Sequence, residues 1–135
     1  MPVNSFEISL LVTQHDLDDL QHVNNVVYLQ WVQDAALAHW RANASKMLQD
    51  EYNWVVLRHE IDYKSPAVIA DELVLKTWVY NYNAARSIRI VQISRKSDNK
   101  LLAEAKTTWC LLFAANNKPV RIGENIKLLF APEIM

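Results

Sequence analysis

The sequence predicts an α+β fold in which one antiparallel sheet wraps a single long helix, and three observations lead there. Residues 24–44 read as a helix that is apolar around most of its girth. Strand-like segments precede and follow it, with no second long helix. The separators between the later strands, NAA and SDN, are short and polar, as hairpin turns are. At 135 residues the chain is long enough to bury a core of its own, and residues 1–135 are read as one domain.

The first strand is residues 5–13, SFEISLLVT, where Phe6, Ile8, Leu10 and Val12 alternate onto one face. The stretch DLDDLQHVNN, residues 16–25, then leads into the helix. There Gln30, Gln33, Asp34 and Arg41 make one narrow polar stripe. Val26, Val27, Leu29, Trp31, Val32, Ala35, Ala36, Leu37 and Trp40 cover the rest, so the helix needs partners on several sides. The remaining strands are 54–63, closed by Ser65-Pro66, then 72–82, 86–96 and 100–113, and together they read as an antiparallel meander. In the last, Ala103, Ala105, Thr107, Trp109, Leu111 and Phe113 share one face. Residues 124–131 fit a short terminal helix. A lone sheet leaves an edge and its outer face open, and several strands are apolar on both faces. A homodimer or homotetramer is therefore expected.

Composition narrows the function. Hydrophobic residues at 51% and charged residues at 21% give an ordinary globular balance. A net charge of −1 offers no basic surface for nucleic acid or a membrane. No apolar run is long enough to span a bilayer. The N-terminal MPVNSFEISLLV has no basic n-region and carries Glu7, so no signal peptide is expected. The single cysteine, Cys110, forbids an intrachain disulfide and suits a reducing, cytoplasmic compartment. Gly123 is the only glycine, which excludes a glycine-rich phosphate loop. Backbone positions with φ > 0 are then expected at Asn and Asp, with Asn81, Asn83, Asp98, Asn99, Asn116 and Asn117 as candidates.

Residues 16–25 are the chemically dense stretch. A helix start accounts for one asparagine as N-cap and one aspartate near the macrodipole. It leaves Asp16, Asp18, Asp19 and His22 together unexplained, so an elaborate cap and a functional site are both open. Metal-ligand types are present in His15, Asp16, Asp18 and His22, but no zinc spacing links them and no metal is expected. Cys110, mid-strand between Trp109 and Leu111, reads as an inert buried thiol. A carboxylate beside a helix N-terminus fits better. The amides of Asn25 and Val26 can hold an oxyanion, while an aspartate activates water or attacks directly. Such a set suits a thioester, whose thiolate resembles cysteine of pKa about 8.5 and leaves without a strong general acid. It needs no cofactor.

The stretch DLDDLQHVNNVVYLQW resembles the D-x-D-x-x-x-H-V-N-N-x-x-Y signature of hotdog-fold thioesterases, the group around 4-hydroxybenzoyl-CoA thioesterase. The resemblance continues, in the family's order, through EIDYKSPAVIADEL, LLAEAKTTWCLL and NNKPVRI. The QHVNN run is also similar to the plant acyl-carrier-protein thioesterases. The resemblance implies a hotdog fold and an acyl-CoA thioesterase. An acyl-acyl-carrier-protein thioesterase and a non-catalytic acyl-CoA-binding hotdog protein are the alternatives.

By position, the resemblance makes Asp18 the general base or nucleophile and His22 a member of the network that polarises the carbonyl or orients water. Asn24 and Asn25 would hold the loop and cap the helix, with the adjacent amides, Val26 included, as oxyanion hole. Asp16 is expected to bond loop amides and Asp19 to be solvated. Two departures stand out. Gln21 occupies a position where many members have glycine, and Leu20 one where the plant enzymes have asparagine, so an Asp18-centred mechanism is expected. His59 and Glu60 are secondary candidates that would act across a dimer interface, because the family's active sites lie between protomers. Arg86 and Arg89, with Arg95 and Lys64, are candidates for the phosphates of coenzyme A. Tyr28, Trp31 and Trp40 are expected mostly in the core, with one or two near an acyl tunnel.

Overall fold

The chain's elements are set by how each segment ends. In the computed structural model, which describes residues 4–130, β1 (Phe6–Leu11) runs through a single 3-10 turn at Gln14–Asp16 toward α1 (Asn25–Asn43). Asn24 caps α1, its Oδ1 accepting from the Val26 amide at 3.0 Å. The helix stops at Ala44, and Ser45 caps a second helix, α2 (Lys46–Glu51), by accepting from Leu48 N–H at 3.2 Å. Nothing in KMLQDE has the apolar period of a helix, so α2 was illegible in the sequence. Its cap, the Gln49 amide bound to Ala44 C=O at 2.9 Å and an exposed Lys46–Asp50 pair hold it.

Four long strands follow: β2 (Tyr52–Tyr63), β3 (Glu72–Asn83), β4 (Arg86–Arg95) and β5 (Lys100–Phe113). The expected terminal helix is α3 (Glu124–Lys127), which tightens into a 3-10 turn at Leu128–Phe130; residue 131 lies outside the described residues. The strands form one antiparallel sheet in the order β1-β3-β4-β5-β2. The expected meander is therefore correct for β3, β4 and β5 and wrong for β2, which crosses to the far edge and pairs with β5. The reason is the connection. Tight turns force β3, β4 and β5 to be neighbours, whereas residues 64–71 between β2 and β3 are long enough to cross the sheet.

One face of this sheet meets α1. Tyr28, Trp31, Val32 and Ala35 of the helix pack against Leu73 and Leu75 of β3, Val91 and Ile93 of β4, and Ala103 and Ala105 of β5. Ile8 and Leu10 of β1 and Ile61 of β2 complete that cluster. Each leucine buried so completely contributes about 1.5–3 kcal/mol. A second cluster joins Trp40 at the other end of α1 to Val79, Leu111, Ile122, Ile126 and Phe130. An antiparallel sheet laid on one long helix is the hotdog architecture. The alternation expected for the last strand holds, with Ala103, Ala105, Thr107, Trp109 and Leu111 buried. In β2 a bulge at Leu57 shifts the register between Val56 and Arg58, which leaves Leu57 49% exposed.

The left-handed positions depart from expectation. Asn99 (φ 56°) and Asn117 (φ 57°) adopt positive φ as anticipated, but Asn81 and Asn83 do not. Gln21 (φ 62°), Ala70 (φ 67°) and Ala84 (φ 55°) do. Asn81 and Asn83 lie within β3, whose ladder holds them extended, so the tight turn falls to Ala84. The lone Gly123 serves as the N-cap of α3 with φ −86°. No helix among the described residues is long and apolar enough to cross a membrane.

Candidate functional site

The dense stretch folds into a closed loop. Leu17 and Val23 bridge as a one-pair antiparallel ladder, and the loop between them is pinned by Asp18 N–H to His22 C=O (2.8 Å) and Gln21 N–H to Asp18 C=O (3.0 Å). Gln21 turns the chain in the left-handed region. The bend that glycine permits is thus kept with a glutamine, at a conformational cost. Asp16 stabilises the entry, its Oδ2 accepting from the Thr13 amide at 2.8 Å and its C=O from the Asn24 amide at 2.9 Å.

Inside this loop the Asp18 carboxylate is fixed by one oxygen. Its Oδ1 accepts from the amides of Leu20 (2.9 Å) and His22 (3.2 Å). Oδ2 has no hydrogen-bond partner among the described residues. The loop therefore orients a carboxylate without consuming it.

The opposite wall comes from the end of β2. Tyr63, Lys64, Ser65 and Pro66 face Asp18, His22, Val23, Asn25 and Tyr28 across a cleft of about 280 Å³. Backbone bonds stitch the walls together. Val23 N–H donates to Ala67 C=O (2.9 Å), and Ala67 N–H donates to the buried Tyr28 hydroxyl oxygen (3.1 Å). Lys64 N–H is anchored on Leu102 C=O (2.8 Å). The Tyr63 hydroxyl donates to Asn25 C=O at 3.3 Å, and desolvation raises its pKa, so it stays a donor. Among the described residues no group of three or more His, Cys, Asp or Glu side chains is placed to hold a metal.

The structure brings some of the sequence candidates together and separates others. Asp18, His22 and Asn25 share the cleft. Asn24 sits behind it as the helix cap. The Val26 amide cannot serve as a free oxyanion donor, because Asn24 Oδ1 already takes its proton; the Asn25 amide is the one left open. His59 and Glu60 lie on β2 outside their own chain's cleft. His59 Nδ1 pairs with Thr107 Oγ1 at 2.8 Å, its Nε2 is buried without a partner among the described residues, and burial lowers its pKa. Glu60 is exposed beside Arg58.

The arginines expected at coenzyme A phosphates do not line their own chain's cleft. Arg86 pairs with Cys110 in the ladder, while Tyr63 pairs with Ala103. Seven residue steps along β5 put Arg86 about 23 Å along the strand from the cleft. Arg89 is an interior residue, 6% exposed, bonded to His39 and Thr77. Arg95 is occupied by Asp71 and Asp98. Lys64 alone of the proposed cations lines the cleft. The contribution of Tyr63, Ser65 and Pro66 was missed. The signal available was a tyrosine closing a strand just before Ser-Pro, but only the crossover of β2 reveals what it faces.

Residues 12–129 match the model of the thioesterase-like superfamily. Over 123 residues the chain is 25% identical to the long-chain acyl-CoA thioesterase FadM of Escherichia coli (strain K12), covering 90% of this chain and 93% of that one. Two solved structures superpose along nearly the whole chain. A 1,4-dihydroxy-2-naphthoyl-CoA thioesterase from Synechocystis gives a TM-score of 0.80 at 19% identity, over 93% of this chain and 95% of that one. A Staphylococcus aureus protein in complex with CoA gives 0.83 at 15% identity, over 100% and 90%. At such identities the two structures speak to the fold.

Proposed function

The chain belongs to the thioesterase-like superfamily, and from that premise we propose that it is an acyl-CoA thioesterase working through Asp18. The observation that carries this reading is the carboxylate itself, held through Oδ1 by two loop amides, its Oδ2 unbonded among the described residues, on a residue that lines the cleft. Asp18 either takes a proton from water as the water adds to the thioester carbonyl, or adds directly to that carbon to form an anhydride that water then cleaves. In both routes the C–S bond breaks, the carboxylic acid is released, and the coenzyme A thiolate departs and is protonated by solvent. The Asn25 amide, at the positive end of α1, stabilises the oxyanion. His22, beside it, orients the water or the carbonyl, and Lys64 at the rim meets a phosphate of the coenzyme.

The reading also takes the protein as a homo-oligomer. β2 is a twelve-residue edge strand with Val55 38%, Leu57 49% and Tyr63 44% exposed. An exposed edge of that length is a template for pairing with a second copy. Because β2 ends in the wall of the cleft, a partner paired there would flank the cleft.

The test is thiol release from a panel of short, long and aromatic acyl-CoAs by the wild type and by Asp18→Asn. Turnover should fall by roughly 10²–10⁴-fold in the variant, the usual contribution of a positioned acid or base. Undiminished turnover would remove Asp18 from the mechanism. Activity confined to acyl carrier protein thioesters would replace coenzyme A as carrier, and binding of acyl-CoA without turnover would make this a binding module.

A further inference from the structure

We propose that Tyr63 is a positioning residue: its hydroxyl, reaching across the cleft, fixes the first residue of α1 and so aims the Asn25 amide at the reacting carbonyl. The proposal deepens the thioesterase reading above and rests on it. The first turn of a helix holds itself least, because its amides have no partner within the helix. Here the Val26 amide goes to Asn24 Oδ1 and the Val27 amide to Asn24 C=O, which leaves the Asn25 amide open for an oxyanion. An open amide stabilises an oxyanion fully only if its direction is set before the substrate arrives.

What sets that direction comes from the opposite wall. Among the described residues, the one side chain bonded to the Asn25 backbone is Tyr63, whose hydroxyl donates to Asn25 C=O at 3.3 Å. Tyr63 is itself well anchored. It closes β2 opposite Ala103 of β5, and the next two amides, Lys64 and Ser65, both donate to Leu102 C=O, at 2.8 and 3.1 Å. Its ring meets Tyr28 edge-on at 5.4 Å. Tyr28 lies three residues beyond Asn25 on α1, buried, with its hydroxyl oxygen taking the Ala67 amide at 3.1 Å. Tyr63 therefore grips the start of α1 twice, by packing on Tyr28 and by a hydrogen bond at Asn25. Val23, which closes the Asp18 loop, is tied to the same Ala67 through its C=O. One wall thus holds both the carboxylate loop and the helix start.

The hydroxyl is poorly suited to a merely stabilising role. Its bond is longer than the usual span of about 2.5–3.0 Å for hydroxyl to oxygen, and the residue is 44% exposed, so water replaces the bond at little cost. The ring supplies the packing. What the hydroxyl adds is a restraint on one residue, and that residue carries the oxyanion donor. Removing such a donor outright costs about 10²–10³ in kcat, so removing only its restraint should cost less, roughly tenfold.

Tyr63→Phe keeps the ring and removes the hydroxyl alone. The full-length variant and wild type are compared by thiol release from the acyl-CoA that the wild type hydrolyses best, by thermal melting, and by the NMR order parameter of the Asn25 amide. In the variant kcat should fall roughly tenfold while KM stays within about twofold. The melting temperature should stay within about 2 °C. The Asn25 order parameter should drop from about 0.85 toward about 0.6, with those of Trp31 and Val32 deeper in α1 unchanged. Full kcat or an unaltered Asn25 amide would overturn the proposal. So would a loss of kcat matched by a rise in KM or by a lower melting temperature, which assigns the loss to binding or to folding. A wild type that hydrolyses no thioester overturns the thioesterase reading and this one together, whereas an active wild type with a fully active variant overturns this one alone.

Discussion

Lowering the pH should destabilise this protein through one buried histidine, His39. The ring sits on α1's buried face toward its C-terminal end, fully inaccessible, stacked on Phe6 (5.3 Å, 9°) and edge-on to Phe130 (4.7 Å). Its Nδ1 accepts from Arg89, which fixes the tautomer, so Nε2–H donates to Asn4 Oδ1 at 3.3 Å. A second proton would remove the acceptor and set a cation against a guanidinium. Burial, and then the Arg89 charge, therefore hold the folded pKa at about 4 against 6.5 for a free side chain. The unfolded chain takes up this proton near pH 6.5 and the native one only near pH 4, so between those values the unfolded state binds more protons. The stability is present above about pH 6.5 and is lost as pH falls toward 4. At about 1.4 kcal/mol per pH unit over that window, the loss by pH 4 is about 3 kcal/mol. Urea unfolding of the wild type and of His39→Gln, at about pH 7 and about pH 4, isolates the effect because every other titrating group is common to both. Gln keeps an acceptor for Arg89 and a donor for Asn4. The wild type should lose about 3 kcal/mol more than the variant. Parallel losses in the two proteins would refute the reasoning.

Two further outcomes follow from the backbone and from the sheet edge. Gln21→Gly and Ala84→Gly replace side chains held at φ 62° and φ 55°, so each should raise stability by about 0.5–1 kcal/mol in thermal melts; a lower melting temperature for both would mean that the turns are not strained. Pairing of two β2 edges should give a dimer or tetramer by sedimentation equilibrium, and Leu57→Glu at the bulge should shift it toward monomer. A wild-type monomer at micromolar concentration would dismiss the edge as an interface.

What the sequence made legible was local, and what it hid was long-range. The loop of Asp18 and His22 is built by contacts no more than six residues apart, Leu17 with Val23 and Asp18 with Leu20 and His22, so its coming together could be read from one ten-residue stretch. The α1 cap was legible for the same reason, although not that the cap would take the Val26 amide out of use. The alternation of β5 named its buried face correctly. Periodicity is blind to partner choice, however: a strand paired with β3 and the same strand paired with β5 alternate identically. Arg89 shows the same limit. An arginine in a strand of alternating charge reads as solvated, and only the inward register, with His39 and Thr77 beside it, makes it a core residue.

That single hidden choice, β2 beside β5, decides the geometry of the cleft. Had β2 stayed next to β3, Tyr63 would not face Ala103, and the 64–67 segment could not lie against Val23 and Tyr28. The Asp18 loop would then be a turn on an open surface. The crossover gives it a second wall and, in the same act, makes the longest unpaired strand edge of the sheet. The wall and the edge are two ends of one strand. A partner that covers the edge necessarily arrives beside the cleft, so any change that weakens pairing along β2 should also alter how thioesters bind, even where no cleft residue has been touched.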